Sequence, residues 1–144
     1  MSQGPRHHGR VYALQILYAS DGSDEVDVVS AAERWHQQFE LPVEGEAHEF
    51  ASRIVRAAAE RRAAIDEVIS AASKNWRLER MSRVDRNILR LGACELMAFS
   101  DVPVRVSINE AVELAKRFGT TDSPAFVNGI LDRIAAAIGR TPDR

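Results

Sequence analysis

The side chains of this sequence best able to do chemistry are four histidines, one cysteine and 21 acidic residues. His7 and His8 are adjacent, so on a helix their rings would point about 100° apart. His36 and His48 fall on either side of a predicted loop, with no cysteine or second histidine at ligand spacing. Phosphate-binding loops, dinucleotide fingerprints and nucleophile elbows are absent from the sequence. We therefore predict that the protein is not an enzyme, and we predict neither a metal site nor a cofactor.

The composition predicts one globular domain, placed at residues 1–144. Hydrophobic residues make up 45% of the 144 residues, enough to build a core. The single cysteine, Cys94, lies in an apolar stretch and is predicted to be buried. One cysteine excludes an internal disulfide and suits a reducing compartment. Because we find no signal peptide and no apolar run of about 18–20 residues, we expect a cytoplasmic protein without a membrane contact.

Nucleic-acid binding is the chemistry that the basic residues favour. A short basic arm leads into the first predicted helix and contains Arg6, His7, His8 and Arg10. Arginine offers phosphate contacts and a planar stacking surface, and histidine can also stack. In an N-terminal segment, however, such residues often have no function.

Charge is segregated along the chain although the net charge is only −2. Residues 21–49 hold nine acidic residues against Arg34 alone, whereas residues 74–90 hold six basic residues against Glu79 and Asp85. A segregated basic region can attract a polyanion even in a slightly acidic protein. A solvated helix face is the alternative interpretation.

Apolar residues repeat at helical spacing throughout, which predicts an all-α fold. In the first four predicted helices these residues are Val11, Leu14, Leu17 and Tyr18; Val28, Ala32, Trp35 and Phe39; Phe50, Ile54 and Ala58; and Ile65, Val68, Ile69, Ala72 and Trp76. We place a bend at Arg61 to Ala64, since one uninterrupted helix of about 30 residues would be atypical of a globular domain.

The fifth predicted helix follows a candidate capping residue, Ser82, and is apolar over an unusually wide surface, so we expect it to be central. Glu95 lies inside it and needs a hydrogen-bonding partner if it is buried. Two further helices follow the break at residues 101–103. Gly129 interrupts the pattern of the last helix, where we expect it to allow a close approach of another helix.

The most specific stretch of the chain is SINEAVELAKRFGTTDSPAFVNGIL, residues 107–131. Ser107 and Glu110 have the spacing of a capping box. Gly119 stands where a helix commonly exits through a left-handed residue. Asp122 or Ser123 can cap the next helix, with Pro124 near its first position.

This stretch, together with VDRNILRL at residues 84–91 and DVP at residues 101–103, resembles the NusB family of bacterial transcription antitermination factors. The resemblance is close from about Arg80 to Ile134 and weaker at ALQILY, residues 13–18. It implies about seven helices in two packed helical bundles, with an N-terminal half at about residues 6–76 and a C-terminal half at about residues 80–138. It also implies binding of boxA RNA in nascent rRNA transcripts together with NusE, a small-subunit ribosomal protein. NusA, NusG and RNA polymerase complete the antitermination complex, and no cofactor takes part.

The resemblance also assigns candidate site residues. RNA contacts fall on the arm and on the start of the last helix, namely Arg6, His7, His8, Arg10, Asp122 and Phe126. Contacts to NusE fall on Tyr18, Glu79, Asp85 and Arg86. Structural roles are the alternatives: capping for Asp122, a helix-dipole interaction for Asp85, and a core position for Phe126. Arg86 and Arg90 can instead be solvated.

The arm departs from the family pattern, which has consecutive arginines, because it reads RHHGR at residues 6–10. Histidine charge depends on pH around the ordinary imidazole pKa of about 6.5, and Gly9 weakens a helical turn. We therefore expect RNA binding to depend on NusE and on pH, which boxA affinities at about pH 6 and pH 8 would test. A helical protein-interaction module without intrinsic RNA binding is the alternative. Because some family members self-associate through the NusE-binding surface, a homodimer is a further alternative.

Overall fold

Every regular element in the described part of the chain is helical. The computed structural model describes residues 4–21, 45–74 and 76–140. Its α-helices are α1 (Pro5–Ala19), α2 (Gly45–Glu60), α3 (Arg62–Ser73), α4 (Arg83–Ala98), α5 (Val104–Phe118) and α6 (Ser123–Ala137), with a short 3-10 helix at Leu78–Arg80. The predicted all-α class is confirmed for these ranges. The helix predicted over residues 28–39 lies outside the described residues.

The bend predicted at Arg61 to Ala64 separates α2 from α3. α2 ends at Glu60 and α3 begins at Arg62, and the chain divides into two compact units, Met1–Glu60 and Arg61–Arg144, at this point. The sequence-based halves placed the residues of α3 in the N-terminal half. In the structure α3 packs against α4 and α6 and so belongs to the second unit.

The first unit is built on the packing of α1 against α2. The predicted apolar face of α1 is buried at Val11, Leu14 and Leu17, and α2 buries Phe50 and Ile54. Burial at these i, i+3 and i+4 spacings turns two amphipathic helices into a common core.

In the second unit α4 is the central helix, as its wide apolar surface predicts. It packs against α3, α5 and α6, and its side chains Ile88, Leu89, Leu91 and Leu96 are fully buried. The predicted cap is also confirmed, because the Asp85 backbone N–H donates to Ser82 Oγ over 3.0 Å.

Two predicted helix ends are wrong in detail. α5 begins at Val104 after Pro103, so Ser107 lies inside the helix and forms no capping box with Glu110. The Ser107 hydroxyl instead donates to Glu95 Oε1 over 3.0 Å, which supplies the partner that the buried carboxylate needs. At the other end of α5, Gly119 has φ −95° and ψ −163°, which is extended and not left-handed.

Gly119 is instead required by a close neighbour. A Cβ atom at this position would lie 2.5 Å from Ser123 Oγ and 2.9 Å from the Ala115 carbonyl oxygen. Ser123 Oγ is held there because it accepts a hydrogen bond from the Thr120 backbone N–H over 2.9 Å. The glycine therefore leaves room for the turn that starts α6.

None of the helices in the described ranges is long and apolar enough to cross a membrane.

Candidate nucleic-acid interface

The basic residues predicted to form an arm lie within the first turns of α1. Pro5 occupies the start of the helix, Gly4 is the N-cap, and no acidic side chain lies in the first turn. His8 is exposed, whereas Arg6 and His7 are half-buried. The sequence therefore places positive side chains at the positive end of a helix dipole, an arrangement that disfavours the helix but attracts an anion.

Arg10 is buried, unlike the rest of this basic segment. Its side chain is only 2% exposed, and its guanidinium carbon lies 4.9 Å from the centre of the Phe50 ring. Arg6 lies over the same ring at 4.7 Å. Contacts of this kind between a guanidinium and an aromatic ring are favourable. The two arginines thus cover a core phenylalanine, and Arg6 and His8 are better placed than Arg10 to reach an RNA phosphate.

Arg53 is a third cation beside the Phe50 ring, and it was not predicted from the sequence. It is exposed on α2, and its guanidinium carbon lies 5.7 Å from the Phe50 ring centre. The only signal in the sequence is its position three residues after Phe50, on the same side of α2. The contact of α1 with the same ring is tertiary and leaves no local pattern.

Gly9 permits Arg6 and Arg10 to lie over the Phe50 ring, since it lies at a close contact between α1 and α2. A Cβ atom on Gly9 would lie 2.8 Å from the Ala47 carbonyl oxygen and 3.2 Å from Phe50 Cβ. The cost of glycine in helix propensity is therefore offset by packing. Gly9 is a packing residue and not merely a weak point of the first helical turns.

At the start of α6, the side chain of Asp122 does not play the capping role that was the alternative to an RNA contact. Asp122 occupies the N-cap position and is exposed, but its side chain makes no capping hydrogen bond. The first-turn hydrogen bond of Phe126 N–H goes to the Asp122 backbone carbonyl over 3.2 Å. The carboxylate therefore lies on the surface one helical turn before the half-buried Phe126.

Phe126 contacts Trp76, an aromatic residue whose position was wrongly predicted from the sequence. Trp76 was predicted to continue the helix of Ile65 and Ala72 into the core, but α3 ends at Ser73 and Trp76 is 55% exposed. Lys74 ends the helix with a φ of 40°. The Trp76 and Phe126 rings meet edge to face, with centroids 6.4 Å apart and planes at 86°. Phe126, one of the two RNA candidates of α6, thus lies beside an exposed tryptophan.

Three of the four predicted partner contacts come from one segment of the second unit. Glu79 is exposed in the short 3-10 helix, and Asp85 and Arg86 lie in the first turn of α4, where Arg86 Nη1 donates to the Met81 carbonyl over 3.3 Å. Asp85 Oδ1 is buried and has no hydrogen-bond partner among the described residues. An orphaned carboxylate oxygen is costly unless a partner molecule supplies a donor.

The fourth predicted partner contact, Tyr18, lies near the end of α1 in the first unit and is 41% exposed. Arg90, by contrast, is committed to the fold. Its Nε and Nη2 donate to the two carboxylate oxygens of Asp66 over 2.9 and 3.2 Å, and its Nη1 donates to Asn87 Oδ1. This bidentate pair joins α3 to α4 and argues against a merely solvated Arg90.

Groups that could support catalysis or metal binding are few in the described ranges. These ranges contain no group of three histidine, cysteine or acidic side chains able to hold a metal ion. Cys94 is fully buried, and burial, with a smaller contribution from Glu95, raises the pKa of its thiol from 9.0 to about 12. A thiol held neutral in this way is a core group and a poor nucleophile.

Comparison with known proteins gives a consistent result. A model of the NusB family matches residues 7–136. The transcription antitermination protein NusB of Sorangium cellulosum is 51% identical over 137 residues, which cover 95% of this chain and 96% of that protein. The solved structure of T. maritima NusB is 38% identical, has a TM-score of 0.82 and is matched over 98% of this chain and 96% of its own.

A crystal structure of antitermination factors NusB and NusE in complex with dsRNA is also similar, with a TM-score of 0.81 and 26% identity over 92% of this chain and 97% of that chain. Sequence, family model and fold thus agree over nearly the whole length of the protein. The chain belongs to the NusB family, whose curated members are named transcription antitermination proteins.

Proposed function

We propose that this protein is an antitermination factor that binds boxA RNA of nascent rRNA transcripts jointly with NusE. The observation that carries the proposal is the similarity, over 92% of the chain, to a protein solved with NusE and dsRNA. The 51% identity to a relative named for transcription antitermination supports the same role. The bound complex then joins NusA, NusG and RNA polymerase, so the protein works in the cytoplasm where transcription takes place. The role needs neither covalent chemistry nor a cofactor.

The RNA-binding part of the proposal rests on two charged and aromatic surfaces, one in each unit. In α1, Arg6 adds positive charge to the positive end of the helix, and His7 and His8 add imidazole rings that can stack or donate hydrogen bonds. Phosphate groups would gain from both the side chains and the dipole. In α6, Phe126 offers a ring for stacking, and the uncapped Asp122 carboxylate can accept hydrogen bonds from base amino groups.

The partner-binding part rests on Asp85 with Glu79, Arg86 and Tyr18. Because Asp85 Oδ1 is buried without a partner in the described residues, a hydrogen-bond donor from NusE would offset the free-energy cost of its desolvation. A cationic side chain of a ribosomal protein is a suitable donor, because hydrogen bonds between charged groups are about twice as strong as neutral ones.

A gel-shift assay tests both parts with matched controls. boxA RNA is titrated with the wild-type protein, with and without NusE, and with Arg6→Ala and Asp85→Ala. Arg6→Ala should weaken RNA binding and reduce the salt slope by about 0.7–1, the share of one phosphate contact. Asp85→Ala should abolish the gain in affinity that NusE provides.

The controls are Arg56→Ala and Asp132→Ala, which remove exposed charges of the same sign elsewhere on α2 and α6. Both should behave as wild type. If Arg6→Ala and Asp85→Ala also behave as wild type, the assigned residues are wrong. If the wild type forms no complex with boxA RNA even with NusE, the proposed function is wrong.

A helical protein-interaction module without intrinsic RNA binding is the second candidate. It is favoured by the burial of Arg10 and by the two histidines that replace arginines in the basic segment. This module would bind NusE but show no preference for boxA over a scrambled RNA. A homodimer formed through the surfaces of Tyr18 and Asp85 is the alternative to a complex with NusE. Sedimentation of the protein with and without NusE distinguishes the homodimer from that complex.

A further inference from the structure

The exposed tryptophan beside α6 is the feature of the second unit that the fold itself does not explain. Trp76 is 55% exposed, more than any other large hydrophobic side chain in the described ranges. Tryptophan is a costly residue to leave in water, and exposed aromatic groups commonly mark binding surfaces. The indole already meets the Phe126 ring edge to face, with the ring planes at 86°. The pair therefore presents two aromatic surfaces at right angles.

The backbone holds Trp76 in a defined position after the end of α3. The Trp76 N–H donates to the Ser73 carbonyl over 3.1 Å, and the Ser73 hydroxyl donates to the Trp76 carbonyl over 2.7 Å. Lys74 adopts a φ of 40° in the turn between them. Both backbone polar groups of Trp76 are thus tied to Ser73, so little ordering of the backbone is needed when a ligand meets the ring.

The neighbouring face of α6 is open at its centre with respect to the described residues. Phe126, Gly129 and Arg133 follow one another at i, i+3 and i+7 and so share a face of the helix. The expected close approach of another helix at Gly129 is not found among the described residues, where a Cβ atom at Gly129 would meet only Arg133 Nη1, at 3.8 Å. Packing among the described helices therefore gives no reason for a residue that costs about 1 kcal/mol in propensity. A glycine of this kind suits the close approach of a ligand to the backbone.

Arg133 connects this face to the end of α3. Its Nε donates to the Ala72 carbonyl over 2.8 Å, which fixes the guanidinium beside the C-terminus of α3 and directs its terminal nitrogens toward Gly129. Lys74 and Arg77, both exposed, flank Trp76 in the sequence. Asp122 is the acidic residue one turn before Phe126. The charged residues near the aromatic pair in sequence or on the same helix face are thus mainly cations, which favours a polyanion over an apolar peptide.

We propose that Trp76, Phe126, Gly129 and Arg133 form a binding site for one unpaired nucleotide of the RNA, which we call the α3–α6 platform. The base stacks on the exposed face of Trp76, the ribose passes over Gly129, and the phosphate meets the guanidinium of Arg133. Stacking on an aromatic face suits single-stranded RNA because every base has such a face. This inference rests on the proposed function, and it adds Trp76, Gly129 and Arg133 to the RNA-binding residues.

Tryptophan fluorescence tests the stacking directly. The chain has two tryptophans, Trp35 and Trp76, so a Trp35→Phe background leaves Trp76 as the single reporter. A single-stranded boxA oligonucleotide should quench its emission in the presence of NusE, in parallel with complex formation measured by anisotropy. Trp76→Ala should lower the affinity of the ternary complex about 5- to 150-fold, the effect of losing one base stack. Trp76→Phe, which keeps an aromatic face, should retain most of it.

The Gly129→Gln substitution distinguishes an effect on RNA binding from an effect on folding. The added side chain enters open space and removes a helix-disfavouring glycine, so the melting temperature should be equal or higher. The same side chain covers the platform and should lower RNA affinity. Val106→Ala is the matched control for losing an exposed apolar side chain, since Val106 is 41% exposed on α5, and it should bind RNA as wild type does.

The outcomes distinguish this inference from the proposed function. If wild-type protein binds boxA RNA with NusE while Trp76→Ala and Gly129→Gln bind within two-fold of it, the platform is refuted and the proposed function stands. If Trp76→Ala weakens binding of NusE in the absence of RNA, the surface is a protein contact and the inference is also overturned. Failure of the wild type to bind RNA refutes the proposed function, and the inference with it.

Discussion

Replacing Gly9 by alanine tests how the basic segment of α1 is held against α2. The new Cβ atom would lie 2.8 Å from the Ala47 carbonyl oxygen, 3.2 Å from Phe50 Cβ and 3.3 Å from the Ala51 nitrogen. These atoms belong to the backbone or base of α2 and cannot rotate away, so the two helices must separate. Overpacking of this kind costs about 1–3 kcal/mol, against a gain of about 1 kcal/mol in helix propensity. We expect a net loss of up to about 2 kcal/mol in the free energy of unfolding.

Gly129→Ala is the matched control because it makes the same chemical change in the middle of another helix. Within the described ranges, the new Cβ atom would meet only the flexible end of Arg133, at 3.8 Å. The propensity gain is then unopposed, and stability should rise by about 0.5–1 kcal/mol. The two identical substitutions are thus expected to have opposite signs.

Urea unfolding followed by far-ultraviolet circular dichroism measures both changes. The Gly9→Ala midpoint should fall below that of wild type, and the Gly129→Ala midpoint should rise above it, with the same slope. If both substitutions stabilise the protein equally, the spacing of α1 and α2 does not depend on Gly9. The packing argument for the position of the basic segment would then be wrong.

The hydrogen bonds or burial of three other residues allow separate predictions. Arg90→Ala leaves the Asp66 carboxylate without its bidentate partner and should lower the unfolding free energy by about 1–3 kcal/mol in the same urea assay; an unchanged midpoint would contradict this. Arg140→Ala should cost a similar amount, about 1–3 kcal/mol, because Arg140 donates to the carbonyls of Leu96 and Val102 over 2.8 and 2.9 Å; Arg140→Lys should recover only part of the loss. Cys94 should resist a thiol reagent at pH 8 until the protein unfolds, and rapid labelling of the folded protein would refute its burial. Because burial raises the pKa of this thiol from 9.0 to about 12, its contribution to stability is complete below pH 9.0 and is lost as the pH rises toward 12.

Local signals predicted the features of the fold that depend on neighbours in sequence. Ser82 caps α4 through a bond to Asp85 three residues later, and the i, i+4 pattern of α4 places its apolar surface in the core. The capping box at Ser107 does not form because α5 begins at Val104, and the Ser107 hydroxyl instead donates to Glu95. Glu95 lies 12 residues away in the sequence, and its buried carboxylate accepts the hydrogen bond. A tertiary partner of this kind leaves no trace in local spacing.

The candidate site shows the same division between features that local sequence predicts and features that depend on tertiary structure. The basic residues of α1 and the aromatic residue of α6 can be read from the sequence, whereas their exposure cannot. Arg10 looks like a surface cation but is buried against Phe50, and Trp76 looks like a core residue but is exposed. The two glycines also differ from their expected roles, since Gly9 permits a close helix contact and Gly129 has no such contact among the described residues. The differences at Gly9 and Arg10 arise from contacts with α2, which lies far away in the sequence, whereas Trp76 is exposed because α3 ends at Ser73.

The central claim is that this protein and NusE together hold boxA RNA, and its most direct measurement is the salt dependence of RNA binding. Anisotropy of labelled boxA RNA is measured with both proteins from about 50 to 200 mM salt, with a scrambled RNA of equal length as the reference. We predict tighter binding of boxA than of the scrambled RNA, with log affinity falling linearly in log salt by about 0.7 per phosphate contact. Equal affinity for the two RNAs, or no binding at about 50 mM salt, would contradict the account.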